Sequence, residues 1–67
     1  MTLDQVRAMV LEIGQTADDP EVAHAKEDAL YQCFVLHVAQ TTDDLALKRM
    51  AKEVLRTRAL GFPRWTA

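Results

Sequence analysis

Six side chains near the middle of the sequence carry groups that proteins use in catalysis or metal binding. They are Glu21, His24, Glu27, Asp28, Tyr31 and His37. Because a helix brings residues i and i+4 together, we expect His24 and Asp28 to form a pair. The Glu21-x-x-His24 spacing also matches the motif with which helix bundles hold di-iron centres. A complete centre needs two such motifs and two further glutamates, so one chain could supply it only as part of a dimer.

A charged, solvated helix face is the favoured interpretation of this cluster, ahead of a metal site or a catalytic centre. The motif is present once and often occurs by chance. Cys33 and His37 have the spacing of a nucleophile and its base, but they lie in an apolar stretch. We therefore expect an inert core thiol and a buried or half-buried histidine. With only Gly14 and Gly61 available, no phosphate-binding loop can form. The sequence predicts no enzyme activity, no catalytic residue, no metal and no cofactor.

Two helices are predicted in the first 40 residues. Thr2 and Gln5 fit a capping box that begins a helix over residues 2–14. Asp19 and Pro20 are typical of a helix start, and nothing interrupts a second helix over residues 20–40. The first helix has a narrow apolar stripe, whereas the second is apolar almost all round after Cys33, which is typical of a central helix. The stripe of the first helix consists of Leu3, Val6, Val10 and Ile13.

A third helix is predicted over residues 43–60, opened by a threonine cap at Thr41 or Thr42 with acidic residues in its first turn. Gly61 and Pro63 end it. Its expected buried stripe is Leu47, Met50, Ala51, Val54 and Leu55. Links of about four residues predict antiparallel neighbours. The predicted fold is all-α: a single domain over residues 1–67 forming a small three-helix antiparallel bundle, with an aromatic tail (residues 61–67) packed back on the helices.

Charge is divided unevenly along the chain. Residues 1–44 contain nine acidic and two basic residues, whereas residues 45–67 contain six basic residues and one acidic residue. On a helical wheel the third helix carries a basic ridge opposite its apolar stripe. The favoured interpretation is that this helix lies against the acidic helices of its own molecule or of a partner. The alternative is a surface for nucleic acid or an acidic protein. The basic ridge consists of Lys48, Arg49, Lys52 and Arg56.

Length and composition limit the remaining possibilities. A 67-residue chain buries only roughly 60% of the surface that it exposes when unfolded, so association with a second copy is the simplest way to enlarge its core. One cysteine and the lack of a leader-like segment predict a cytoplasmic protein. The longest near-apolar run, residues 33–39, is too short to span a bilayer, so we expect no membrane partner.

Two segments resemble a group of short helical proteins found in actinobacterial genomes and their phages. They are Ala23-His24-Ala25-Lys26-Glu27-Asp28-Ala29-Leu30-Tyr31 and the C-terminal segment Thr57–Ala67, which contains Phe62-Pro63-Arg64-Trp65. The resemblance implies no activity. It does imply a joint role for the second helix and the tail, in which Arg64 pairs with Asp28 or Glu27 and Trp65 packs on the helix. The expected tail-docking residues are His24, Glu27, Asp28, Tyr31, Arg64 and Trp65.

Taken together, these features predict a non-enzymatic helical module that binds another protein, with a homodimer or a different protein as its partner. The alternative function is that of a nucleic-acid-associated regulator that uses the basic ridge of the third helix. Binding of duplex DNA that depends on salt concentration would favour the second function.

Overall fold

The computed structural model describes residues 1–64, which form three α-helices and a final 3₁₀ turn. The helices are α1 (Leu3–Gln15), α2 (Pro20–Thr41) and α3 (Leu45–Leu55), and the 3₁₀ turn is Arg56–Ala59. No strand occurs in this range. The predicted all-α fold with three helices is confirmed. Within residues 1–64, no helix is both long enough and apolar enough to cross a bilayer.

The first two helices begin where their capping residues predict. In α1 the Thr2 hydroxyl accepts a hydrogen bond from the Gln5 amide, and the Gln5 side chain accepts one from the Thr2 amide. In α2 the Asp19 carboxylate accepts from the Val22 amide at 3.3 Å, and Pro20 occupies the first turn. Both caps satisfy amides that have no partner inside the helix. As predicted, α2 is one continuous helix.

The start of α3 differs from the predicted threonine cap. Helix α2 continues through Thr41, and Asp44 caps α3 by accepting a hydrogen bond from the Leu47 amide at 3.0 Å. Thr42 instead holds the turn, because its hydroxyl accepts from the Asp44 amide at 3.2 Å. A carboxylate at the cap also interacts favourably with the positive end of the helix dipole, which explains the later start of α3.

The helices form a single layer in which α1 and α3 flank α2. Helix α1 meets α2 near Lys26 and Leu30, whereas α3 meets it near Val35. At 3.6 residues per turn these positions lie on roughly opposite sides of α2. The molecule accordingly measures 40 × 33 × 11 Å. Its radius of gyration is 13.7 Å, compared with about 11 Å for a compact chain of this length.

This flat arrangement leaves almost no enclosed core. Among residues 1–64, only Ala39 and Ala51 are buried, with 4% and 7% of their surface exposed. Several residues expected in the core are therefore exposed, because a single layer covers each helix only along its sides. Phe34 of α2 is 53% exposed, and the exposed residues of the predicted stripes are Leu3, Val10, Leu47, Met50 and Val54. Half-buried positions include Val6, Ile13, Leu30, Val38 and Leu55.

Candidate interaction surfaces

The polar cluster on α2 contains the predicted histidine–carboxylate pair. His24 Nε2 lies 3.5 Å from Asp28 Oδ1, and both side chains are about half exposed. Glu27 is half-buried, whereas Glu21 and Tyr31 are exposed. In the part of the chain that the structure describes, no three His, Cys, Asp or Glu side chains converge on a point where a metal could bind. The geometry therefore shows a local pair on one helix face.

Cys33 does not occupy the core position predicted for it. Its side chain is exposed beside a shallow groove between α1 and α2, because the single layer has no second layer above this point. His37 is half-buried, in agreement with its predicted environment. Its carbonyl oxygen accepts a hydrogen bond from the Thr41 hydroxyl at 2.7 Å.

The described part of the tail hydrogen-bonds to its own helix end, and Arg64 also lines a groove that includes Tyr31 and Val35 of α2. The Arg64 guanidinium donates hydrogen bonds to the carbonyl oxygens of Thr57, Leu60 and Phe62, at 2.7, 3.2 and 3.3 Å. It also lies over the Phe62 ring, 3.8 Å from the centroid. The predicted ion pair of Arg64 with Asp28 or Glu27 is therefore wrong. Carbonyls near a helix end have spare acceptor capacity; that of Thr57 accepts from the Leu60 amide at 3.1 Å as well as from Arg64. Trp65 lies outside the described residues.

The basic ridge belongs to a helix that packs on α2, and its first residue, Lys48, is half-buried. Arg56 pairs with Glu53 of its own helix at 2.9 Å, and both side chains are largely exposed. Within residues 1–64, no ion pair joins Lys48, Arg49 or Lys52 to α1 or α2. Helix α3 does lie against α2 of the same molecule, as the favoured interpretation expects, but the contact is made through Leu55 and neighbouring apolar residues and not through ion pairs of the ridge.

One ion pair between helices was not anticipated from the sequence. Lys26 Nζ of α2 lies 2.9 Å from Glu12 Oε1 of α1, and both side chains are partly exposed. The residues are fourteen positions apart, so no local spacing rule identifies them as partners. This contact shows that Glu12 points toward one broad face of the layer. Helical periodicity then indicates which apolar residues of α1 point toward the opposite broad face.

The opposite broad face of the layer is apolar on all three helices. Helices α1 and α3 both run antiparallel to α2, one on each side of it. Helical periodicity therefore places the apolar residues of α1 and α3 that α2 does not cover on the same broad face of the layer. The largest exposures among these residues lie between 53% and 63%. We call this surface the open apolar face; its residues are Leu3, Val10, Phe34, Val38, Leu47, Met50 and Val54.

Charges are few on the open apolar face and lie at its margins. The periodicity of α2 places Glu27 on this side, about two turns before the centre of the patch. Arg58 and Arg64 line a groove that also contains Val54. The basic ridge and the Lys26–Glu12 pair are turned to the other broad face, which also carries Val22 and Leu36. The layer is therefore amphipathic as a whole, with one apolar broad face and one mixed face.

Two sequence signals point to this surface in retrospect. From Cys33 onward helix α2 is apolar nearly all round, which favours neighbours on more than one side. The apolar stripes of α1 and α3 are only partly sheltered by α2, and exposed residues remain in each. Periodicity identifies the apolar residues of each helix. Whether these residues line an enclosed bundle or an open layer depends on the angle and position at which α1 crosses α2. That geometry is not encoded by a local pattern.

Comparison with known proteins adds no relationship to this description: no protein-family model matches the chain, and neither a curated protein nor a solved structure matches it.

Proposed function

We propose that this chain is a non-enzymatic helical module that acts by binding another protein chain through its open apolar face. The observation that supports this most directly is the exposure of large apolar side chains from three helices on one side of a layer. Contiguous apolar surface of this kind is costly to leave in water, and in proteins it marks sites of association.

The organisation of the face supports binding of a protein rather than of a small ligand. It is broad and shallow, and its side chains belong to three separate helices. Small-molecule sites are concave and surround most of their ligand. A flat apolar centre with charged groups at its margin is the usual anatomy of a protein–protein interface. The partner is therefore expected to present an apolar surface of similar extent.

Two neighbouring positions on α1 provide a matched test. Val10 lies on the open apolar face, whereas Leu11 points to the outer edge of the layer, away from α2. Their exposures are similar, 57% and 64%. We expect Val10→Glu to abolish association and Leu11→Glu to leave it intact, because only the first places a carboxylate in the interface.

The measurement is the native size of the tagged chain in an extract of its own host, by gel filtration with immunodetection. Circular dichroism of each purified variant checks that the helices persist. If the tagged chain without substitutions elutes at the size of a single molecule, that is, the 7.6 kDa chain plus its tag, the proposal is contradicted. Equal effects of the two substitutions would contradict the choice of surface.

A second candidate function follows from the basic ridge. Lys48, Arg49 and Lys52 form no ion pair to other helices within the described range; Arg49 and Lys52 are exposed and Lys48 is half-buried. Such a ridge could contact nucleic-acid phosphates. Titration with duplex DNA at low and moderate salt tests this: binding that weakens steeply with salt, and that is lost in Lys48→Ala/Lys52→Ala, supports it. Absence of binding at low salt rules it out.

A further inference from the structure

We propose that the occupant of the open apolar face is a second copy of the same chain, so that two layers associate face to face as a homodimer. This inference rests on the proposed function, since it names the partner of the same surface. It also predicts that the open apolar face becomes the interior of the dimer.

The accessible surface of the chain is the first argument. A compact monomer of 7.6 kDa is expected to expose about 4,300 Å², whereas this chain exposes 5427 Å². The excess is about 1,100 Å². A stable interface buries about 800 Å² from each partner. The surplus surface of one chain is therefore of the order of the area that its half of a dimer interface buries.

The shape of the molecule is the second argument. Small helical domains consist of two packed layers around one core. Here one layer 11 Å thick is present, and the residues up to position 64 include only two that are buried, Ala39 and Ala51. Packing two such layers, with helix axes about 8–10 Å apart, would complete a two-layer helical domain. The apolar residues of α1, α2 and α3 would then form the core that a single chain lacks.

Matching surfaces are the third argument, and they favour a second copy over another protein. A partner must bring an apolar face of comparable area, and such a face would be costly to expose on its own. A second copy of the chain necessarily has the same apolar face. In a dimer with a two-fold axis, the same patch of each chain forms the interface. The near absence of charge at the centre of the patch means that no like charges meet across the axis. Glu27, away from the centre, can remain at the margin.

The test uses the purified full-length chain and two matched variants. Light scattering over a range of concentrations is expected to give about twice the 7.6 kDa chain mass. Val10→Glu is expected to raise the dissociation constant at least about a hundredfold, because the symmetry places two unpaired carboxylates in the interface. Leu11→Glu is expected to leave the dissociation constant nearly unchanged. A monomer at all concentrations, or a dimer unaffected by Val10→Glu, would overturn the inference.

Thiol labelling gives a second measurement that does not depend on a destabilising substitution. Cys33 is exposed and lies off the open apolar face, so it should react with a maleimide equally fast in dilute and concentrated protein. In the variant Cys33→Ser/Val54→Cys the thiol lies on that face, and its reaction should slow at least tenfold at concentrations where the dimer forms. Protection of Cys33 instead would show that the mixed face is the interface.

The outcome also separates this inference from the proposed function. If the purified chain is a folded monomer while the native complex in the host extract still depends on Val10, the face binds a different protein. In that case the proposed function holds and the homodimer is wrong. If neither purified chain nor extract shows association, both proposals fail.

Discussion

Several polar side chains of this protein interact within the helix or turn to which they belong, and Lys26, which pairs with Glu12 of α1, is an exception. His24 and Asp28 form a partly exposed pair one turn apart on α2. Arg64 donates to carbonyls at the end of the 3₁₀ turn, and Asp19 and Asp44 accept from amides at helix starts. None of these groups is enclosed, so none has the low-dielectric surroundings in which charged groups become strong catalysts.

The weak contribution of the α2 pair can be measured with Asp28→Asn. Because the two side chains are about half exposed and 3.5 Å apart, we expect a loss of less than about 0.5 kcal/mol in the free energy of unfolding. Urea unfolding followed by circular dichroism provides the value, with Asp4→Asn as a control for an exposed pair in α1. A loss above about 1 kcal/mol would contradict this expectation and show that Asp28 makes a further stabilising contact.

The three helices could be predicted because local chemistry specifies them. The signals are the capping residues, the proline at the start of α2 and the apolar periodicity. Each acts within a few residues, so it can be recognised in the sequence without knowledge of the fold. The cap of α3 shows the limit of prediction from local patterns: Asp44 caps the helix, whereas a threonine was expected to do so. Both residue types cap helices well, and the choice between them depended on how far α2 continued.

A matched pair of substitutions tests the cap of α3. Asp44→Ala removes the acceptor of the Leu47 amide, and we expect it to lower the free energy of unfolding by about 1 kcal/mol. Asp43→Ala changes a neighbouring exposed carboxylate that makes no hydrogen bond within the described residues, and we expect little effect. Urea unfolding compares the two. Equal losses would mean that the effect is one of general charge near the helix start, and a larger loss for Asp43→Ala would contradict the assignment of the cap.

At the scale of the whole molecule, the relation between helices was less predictable than the helices themselves. The same apolar residues can line an enclosed bundle or one face of a flat layer, and periodicity cannot distinguish the two. Val10 and Met50 illustrate this: each lies in a predicted stripe, yet each is more than half exposed because α2 occupies only the side of its helix. The site is therefore a consequence of tertiary geometry, and sequence analysis placed its residues in a core instead.

Stability that depends on protein concentration is the expected property of a molecule whose core forms only on association. For a homodimer that unfolds to two chains, each tenfold increase in concentration adds about 1.4 kcal/mol to the free energy of unfolding. For two chains of this length, that corresponds to an increase of roughly 5 °C in the midpoint of thermal unfolding.

Circular dichroism melts over a hundredfold concentration range measure this shift, and we expect Val10→Glu to unfold at a lower temperature with much weaker concentration dependence. Leu11→Glu should behave like the unmodified chain, because its side chain lies on the outer edge. A midpoint that does not change with concentration would mean that the flat layer is stable alone, and that the exposed apolar residues are not the interior of a dimer.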